Sequence, residues 1–222
     1  MSLVSHRGAG GLSTENSKKA IQLAKKYKPV FIEVDIHCTA DMVFVLYHGD
    51  VKQAYSGGKR PETFAELKKQ QPTLLRLEEL LELDDHTHAF LFDIKCADAI
   101  DDLIAYLTHQ GIPSSVGFTS PHAEALEKLN QAFPNSITLL AQPYHHGPVV
   151  AIELARDKNF DGVSLNKWWL GPLPYIMCKH YKKILMVYTI DHKLWMWFAQ
   201  TFFPDILLCT NHPERYRSIF KL

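Results

Sequence analysis

Four short stretches carry residues that could do chemistry together: His6-Arg7, Glu33-Val34-Asp35, His48 and Asp93-Ile94-Lys95. Two carboxylates about 4 Å apart repel by roughly 4 kcal/mol at an effective dielectric of 20. Three converging ones need protons, cationic side chains or a metal ion to compensate. Arg7 and Lys95 bring positive charge. An all-oxygen trio of Glu33, Asp35 and Asp93 is nevertheless the donor set of one hard divalent cation, Mg²⁺ or Ca²⁺, with Mn²⁺ a further candidate. A guanidinium forks onto phosphate oxygens and an ammonium acts as a point charge, so Arg7 and Lys95 also suit a phosphate-bearing ligand. Two histidines beside one phosphate, His6 and His48, titrate near working pH and suit a general base and a general acid. Taken singly, each residue reads as a satisfied ion pair or a rim group. Taken together, they read as metal-assisted phosphoryl chemistry.

Strands must bring these residues together. Strand-like runs occupy 3–6, 30–36, 42–48, 89–95, 115–120, 137–142, 162–166, 184–190 and 206–210, and helical patterns fill 15–27, 73–83, 98–110, 121–132, 149–158 and 192–202. Alternating strands and helices in one chain of this length predict a TIM-type (β/α)8 barrel rather than an open sheet. One of the nine runs is then surplus, and the connection from 36 to 42 is too short for a helix. Successive strand residues point to opposite faces. An apolar outer face for Ile32, Val34 and Ile36 therefore sends Phe31, Glu33 and Asp35 inward. The same parity sends Phe92 and Ile94 outward, and Leu91, Asp93 and Lys95 inward. His6 closes the first strand, and His48 closes the face carrying Phe44 and Leu46. The polar groups thus collect at the C-terminal ends of strands, where barrel active sites form. Asn16 or Ser17, Thr73, and Ser120 ahead of Pro121 are expected helix caps, and Gly111 an expected helix end. Glycines 8, 10 and 11 are expected to let backbone approach a ligand.

The 222 residues are 46% hydrophobic and 22% charged, ordinary globular composition with no linker-like tract, which predicts a single domain over 1–222. Basic and acidic residues balance at 24 each, so no global field recruits nucleic acid. Cys38, Cys96, Cys178 and Cys209 lack CxxC spacing, and no run approaches 18 apolar residues, which predicts a reduced, cytoplasmic protein.

The ordered set "SHRGAGGLSTENS", "IEVDIHCTADMVFVLYHGD", "PTLLRLEELL" and "LFDIK" resembles the glycerophosphodiester phosphodiesterase family, with "FTS", "YTID" and "TNHPERY" as weaker later echoes. The resemblance implies a barrel in which Glu33, Asp35 and Asp93 hold the divalent ion. His6 and His48 are then the acid/base pair, and Arg7 and Lys95 lie on the phosphate. It also implies attack by the neighbouring glycerol hydroxyl on phosphorus, a cyclic phosphate opened by water, and release of glycerol 3-phosphate and an alcohol. Glu15 and Asn16 are expected to brace the opening loop and cap the first helix.

This chain departs from the family pattern at Thr14, at Asp41-Met42 where Asp-Gly is usual, and at the split pair His48-Gly49-Asp50. Asp93 replaces a common Glu, which leaves room for a water beside the metal. The segment from Gly49 to Gln71 is short for the insertion after the third strand, which predicts a more open mouth and an altered head-group preference. Alternative activities are those of a lysophospholipase D or a phosphoinositide phospholipase C. A rival of another class is a barrel that binds phosphodiesters or a partner without turnover.

Asn166 and Trp168 follow a strand and are candidate substrate contacts. His145 and His146 read as loop residues, and His86 and His88 lie at the end away from the chemistry. Trp168, Trp169, Trp195 and Trp197 are expected mostly to pack between helices and barrel, with any exposed remainder a lipid-contact or dimer surface. Cys38 and Cys96 are expected to be passive.

Overall fold

The computed structural model describes residues 2–49, 62–113, 115–142 and 147–220. Nine strands occur among them: β1 (Leu3–Ser5), β2 (Phe31–Cys38), β3 (Phe44–Leu46), β4 (Ala89–Ile94), β5 (Val116–Ser120), β6 (Ile137–Ala141), β7 (Gly162–Asn166), β8 (Ile184–Tyr188) and β9 (Leu207–Thr210). Eight pair in parallel in the order β1-β9-β8-β7-β6-β5-β4-β2, and β1 pairs with β2 to close the ring. This is the expected TIM-type (β/α)8 barrel.

The surplus run is β3. It pairs antiparallel with β2, from Ile36 opposite Leu46 to Cys38 opposite Phe44, and lies outside the ring. A connection of five residues permits only a hairpin, whereas a parallel return needs a crossover of a dozen or more. Met42 occupies the turn at φ 63, a left-handed conformation that costs a residue with a Cβ roughly 1–2 kcal/mol. Because β3 ends at Leu46, His48 is not a strand residue as expected but lies in the loop beyond. The expected shortening of the insertion falls largely on residues 50–61, outside the described residues.

Helices at Lys18–Lys25, Ile100–Gln110, Ala123–Ala132, Pro148–Asp157 and Lys193–Phe202 match the helical patterns. Ser17 caps the first, accepting the Ala20 N–H at 3.2 Å, and Gly111 ends the second at φ 85. The 73–83 pattern narrows to Leu77–Leu81. Its cap is Arg76, whose backbone N–H donates to the Glu79 carboxylate, and not Thr73. Ser120 accepts the His122 N–H just ahead of its helix rather than capping a helix begun by Pro121. Helices at Phe64–Gln70, Pro172–His180 and Pro213–Phe220 were not expected. In the last two, proline stands at the first helical position, where its missing N–H costs nothing.

The strand parity holds. Ile32, Val34, Ile36, Phe92 and Ile94 belong to the large apolar cluster beneath the helices. Val4, Phe31, Leu91, Leu139, Met186 and Cys209 form a separate cluster inside the barrel, below the polar residues. That plug leaves the C-terminal ends of the strands as the open face. Gly162 sets the spacing of β7 and β8, because a Cβ there would sit 2.1 Å from the Ile184 carbonyl oxygen. Gly162→Ala is expected to cost at least about 1–3 kcal/mol and to lower the melting temperature. An unchanged thermal melt would show that the two strands separate without penalty.

Candidate active site

β2 delivers Glu33 and Asp35, and β4 delivers Asp93 directly opposite Asp35 in the parallel register. One oxygen from each of Glu33, Asp35 and Asp93 lies within 4.8 Å of the others. Lys95 Nζ reaches Asp93 at 2.5 Å and Asp35 at 3.2 Å, while Arg7 Nε lies 3.2 Å from Asp35 and Arg7 Nη1 2.6 Å from Glu15. The two cations are therefore shared among the carboxylates instead of standing apart from them. Arg7 adopts φ 51 and Gly8 φ 75, a turn that aims the Arg7 N–H at the Glu33 carboxylate (2.7 Å) and the Gly8 N–H at the Glu33 carbonyl (2.9 Å). A Cβ on Gly8 would meet the Ala20 backbone at 2.8 Å. The packing of this loop on the first helix therefore requires glycine at position 8.

The electrostatics of the cluster are unequal. Burial pushes Glu33 well above the usual carboxylate range, reinforced by the charges of Asp35 and Asp93. Burial also raises Asp93, against the pull of Lys95. Asp35 is held low although burial opposes it, because Lys95 and Arg7 flank it. Asp93 Oδ1 and Thr119 Oγ1 are buried without a hydrogen-bond partner among the described residues. Oxygens that cannot all carry charge unaided, one of them orphaned, fit a hard divalent cation.

His6 lies beside this cluster, with Nε2 3.9 Å from Glu33. Its Nδ1 is 2.8 Å from Asn211 Oδ1, and Asn211 Nδ2 donates to Asp191 Oδ2 at 2.9 Å. Asp191 also accepts the Asn211 N–H and the Thr210 hydroxyl. Burial opposes ionisation of Asp191, yet these hydrogen bonds hold its carboxyl low. An ionised carboxylate only accepts, so the Asn211 NH₂ must face it and the amide oxygen must face His6. His6 therefore carries its ring proton on Nδ1 and presents Nε2 as the acceptor. Burial, and then the charge of Arg7, lower its pKa to about 4. His48 Nδ1 faces the Gly49 carbonyl at 3.1 Å, which fixes the same tautomer.

His6, Arg7, Glu33, His48, Asp93 and Lys95 line one cavity of about 610 Å³ in the barrel mouth. Asp35 is buried just behind it. Asn166 and Trp168 lie on its far wall, where Asn166 Oδ1 accepts the Trp168 N–H. Glu15 braces the opening loop as expected. Asn16 does not cap the helix. It bonds Asp35 twice, donating from Nδ2 at 2.8 Å and accepting the Asp35 N–H at 3.2 Å. His86 lies near Asp84 and His88 near Asp85, ahead of β4 and outside the cavity. Cys38 and Cys96 are buried, their thiols facing the Thr39 and Ile36 carbonyls, and His145 and His146 lie outside the described residues.

A sequence model of the glycerophosphoryl diester phosphodiesterase family matches residues 6–143. The chain belongs to that family. Membership makes it a phosphoric diester hydrolase, and the stretch matched holds His6, Arg7, all three carboxylates, His48 and Lys95. A glycerophosphodiester phosphodiesterase of Bacillus subtilis is 24% identical over 257 residues, covering 98% of this chain and 86% of that one. The barrel superposes on a glycerophosphodiester phosphodiesterase of Parabacteroides distasonis with a TM-score of 0.79, at 20% identity over 98% of this chain and 95% of that one. An Oleispira antarctica phosphodiesterase, solved with its product sn-glycerol-3-phosphate, gives 0.80 at 17% identity, covering 100% and 97%.

Sequence reasoning gave no role to Thr119, Gln142, Ser164 and Tyr188 on the cavity wall or to Asn211 and Asp191 behind His6, although "FTS", "YTID" and "TNHPERY" contain four of them. All but Ser164, in the middle of β7, lie at or just after the C-terminal end of a strand, which was the available signal. For the family's reaction, Asn211→Ala is expected to lower kcat by about tenfold or more with KM little changed. Nitrogen-15 NMR should show the His6 Nδ1–H tautomer mixed in the variant. A pure Nδ1–H tautomer with unchanged kcat would remove the positioning role.

Proposed function

We propose that this protein is a metal-dependent glycerophosphodiesterase that hydrolyses glycerophosphodiesters to glycerol 3-phosphate and an alcohol. The observation that carries the reading is the meeting of Glu33, Asp35 and Asp93 with two histidines, Arg7 and Lys95 at one barrel mouth. In it, Glu33, Asp35 and Asp93 hold one divalent cation, Mg²⁺ or Ca²⁺. When bound, that ion would polarise the phosphoryl oxygens and lower the pKa of the attacking hydroxyl.

The chain's own residues do the rest. Arg7 and Lys95 line the cavity and orient the diester's anionic oxygens toward His6 and His48. His6, locked on Asn211, offers Nε2 to take the proton of the glycerol hydroxyl beside the phosphate. That oxygen attacks phosphorus. The bond to the alcohol breaks, and His48 in its cationic form gives the leaving oxygen a proton. The product of this half is a cyclic phosphate. The roles then reverse: His48 takes a proton from water as it opens the ring, and His6 returns its proton to the glycerol oxygen.

A head-group panel of glycerophosphodiesters, assayed against a metal series after chelation, tests the reading through release of glycerol 3-phosphate. The chelated protein is expected to be inactive and to recover with Mg²⁺, Ca²⁺ or Mn²⁺. His6→Ala and His48→Ala are each expected to lower kcat by about 10²–10⁴-fold. Failure of the metal-loaded protein to release glycerol 3-phosphate from any diester would sink it.

A further inference from the structure

All four tryptophans of the chain are at the surface, contrary to the core packing expected of most of them. Trp168 is 76% exposed, Trp195 52%, and Trp169 and Trp197 47% each, whereas Phe90, Phe92, Phe118 and Phe160 are fully buried. The four sit in the two successive strand–helix units that follow β7 and β8, which are neighbours in the barrel. Every such helix begins at the mouth. Trp168 and Trp169 occupy the turn leaving β7. Leu173 and Ile176, both more than half exposed, lie in the first turns of Pro172–His180. Leu194, Trp195, Trp197 and Phe198 occupy the first turns of Lys193–Phe202, whose opposite side buries Met196 and Ala199. At a rise of about 1.5 Å per residue, these side chains form an apolar rim within roughly 10 Å of the mouth.

At the mouth end of these two units the charged residues are Lys167, Asp191 and Lys193, whereas Lys179, Lys182 and Lys183 lie at or beyond the far end of Pro172–His180, with Lys179 paired to Asp205. Asp191 is turned onto Asn211 and Thr210. Lys167 and Lys193 stand at the mouth end, and Lys167 Nζ lies 5.4 Å from the centre of the Trp168 ring. Exposed tryptophan beside lysine on an apolar slope is the composition that settles at the boundary of lipid headgroups and acyl chains.

We propose that this rim docks the protein, mouth toward the surface, on an anionic phospholipid bilayer. Trp168 and Trp169 belong both to the rim and to the cavity wall, so the patch is continuous with the mouth. A folded protein partner seated on it would cover the entrance, whereas a bilayer would present phosphodiesters to it. No helix among the described residues is long and apolar enough to cross a membrane, so attachment is peripheral. What the docking serves rests on the proposed hydrolase reading; the docking itself does not. Vesicle binding is measured without turnover, so the two fail separately.

Phosphatidylcholine vesicles with and without phosphatidylglycerol, floated with the full chain, provide the test. Partitioning onto the anionic vesicles is expected, with a blue shift of tryptophan emission and quenching by lipids brominated near the headgroup. Leu194→Ser and Trp195→Ser lie outside the cavity. Each is expected to weaken partitioning by about tenfold while leaving hydrolysis of soluble diesters unchanged. Lys193→Glu is expected to weaken binding to anionic vesicles specifically. Absence of vesicle binding, or binding unchanged in all three variants, overturns the proposal. A sedimentation mass that doubles without vesicles and falls back in Trp195→Ser also overturns it, in favour of a dimer.

Discussion

Everything at the barrel mouth depends on confining three carboxylates where charge is expensive. Glu33, Asp35 and Asp93 cannot all ionise in a space 4.8 Å across without compensation. Lys95 and Arg7 supply part of it, each ion-paired to Asp35. A buried carboxylate with one partner removed is left strongly destabilised, so the surrounding residues are committed to the cluster before any ligand arrives. The Arg7 turn, the Asn16 clamp on Asp35 and the pairing of β2 with β4 all answer that demand.

The histidines are handled differently. Neither is held by a carboxylate at Nδ1; His6 meets an amide oxygen and His48 a backbone carbonyl. A neutral acceptor fixes the tautomer without adding negative charge to a mouth already rich in it. Asp191 contributes at one remove, orienting the Asn211 amide. The same geometry separates the two sides of the mouth. β1, β2 and β4 carry the ionic cluster, while the units after β7 and β8 carry aromatic surface and lysine.

Much of the site was legible in the sequence because strand alternation is strict. Once Ile32, Val34 and Ile36 face the helices, Glu33 and Asp35 have only the interior left. The closing loops were less legible. The hairpin from β2 to β3 turns at Met42 where glycine was the familiar signal, and the aromatic runs after β7 and β8 fit core and surface equally on composition. The helices opened by Pro172 and Pro213 were outside the helical patterns, although proline is a good first helical residue.

The sequence by itself determined the fold class, the faces of the strands and which side chains are inward, because those follow from periodicity and local geometry. Tertiary structure alone decided where the cations spend their charge, which nitrogen of His6 is protonated, and that the tryptophans are outside. Each of those depends on a neighbour remote in sequence: Glu15 and Asp35 for Arg7, Asn211 for His6, and the packing of one helix on another for Trp195. Pairwise electrostatics and burial are properties of distance in space, and separation along the chain does not encode them.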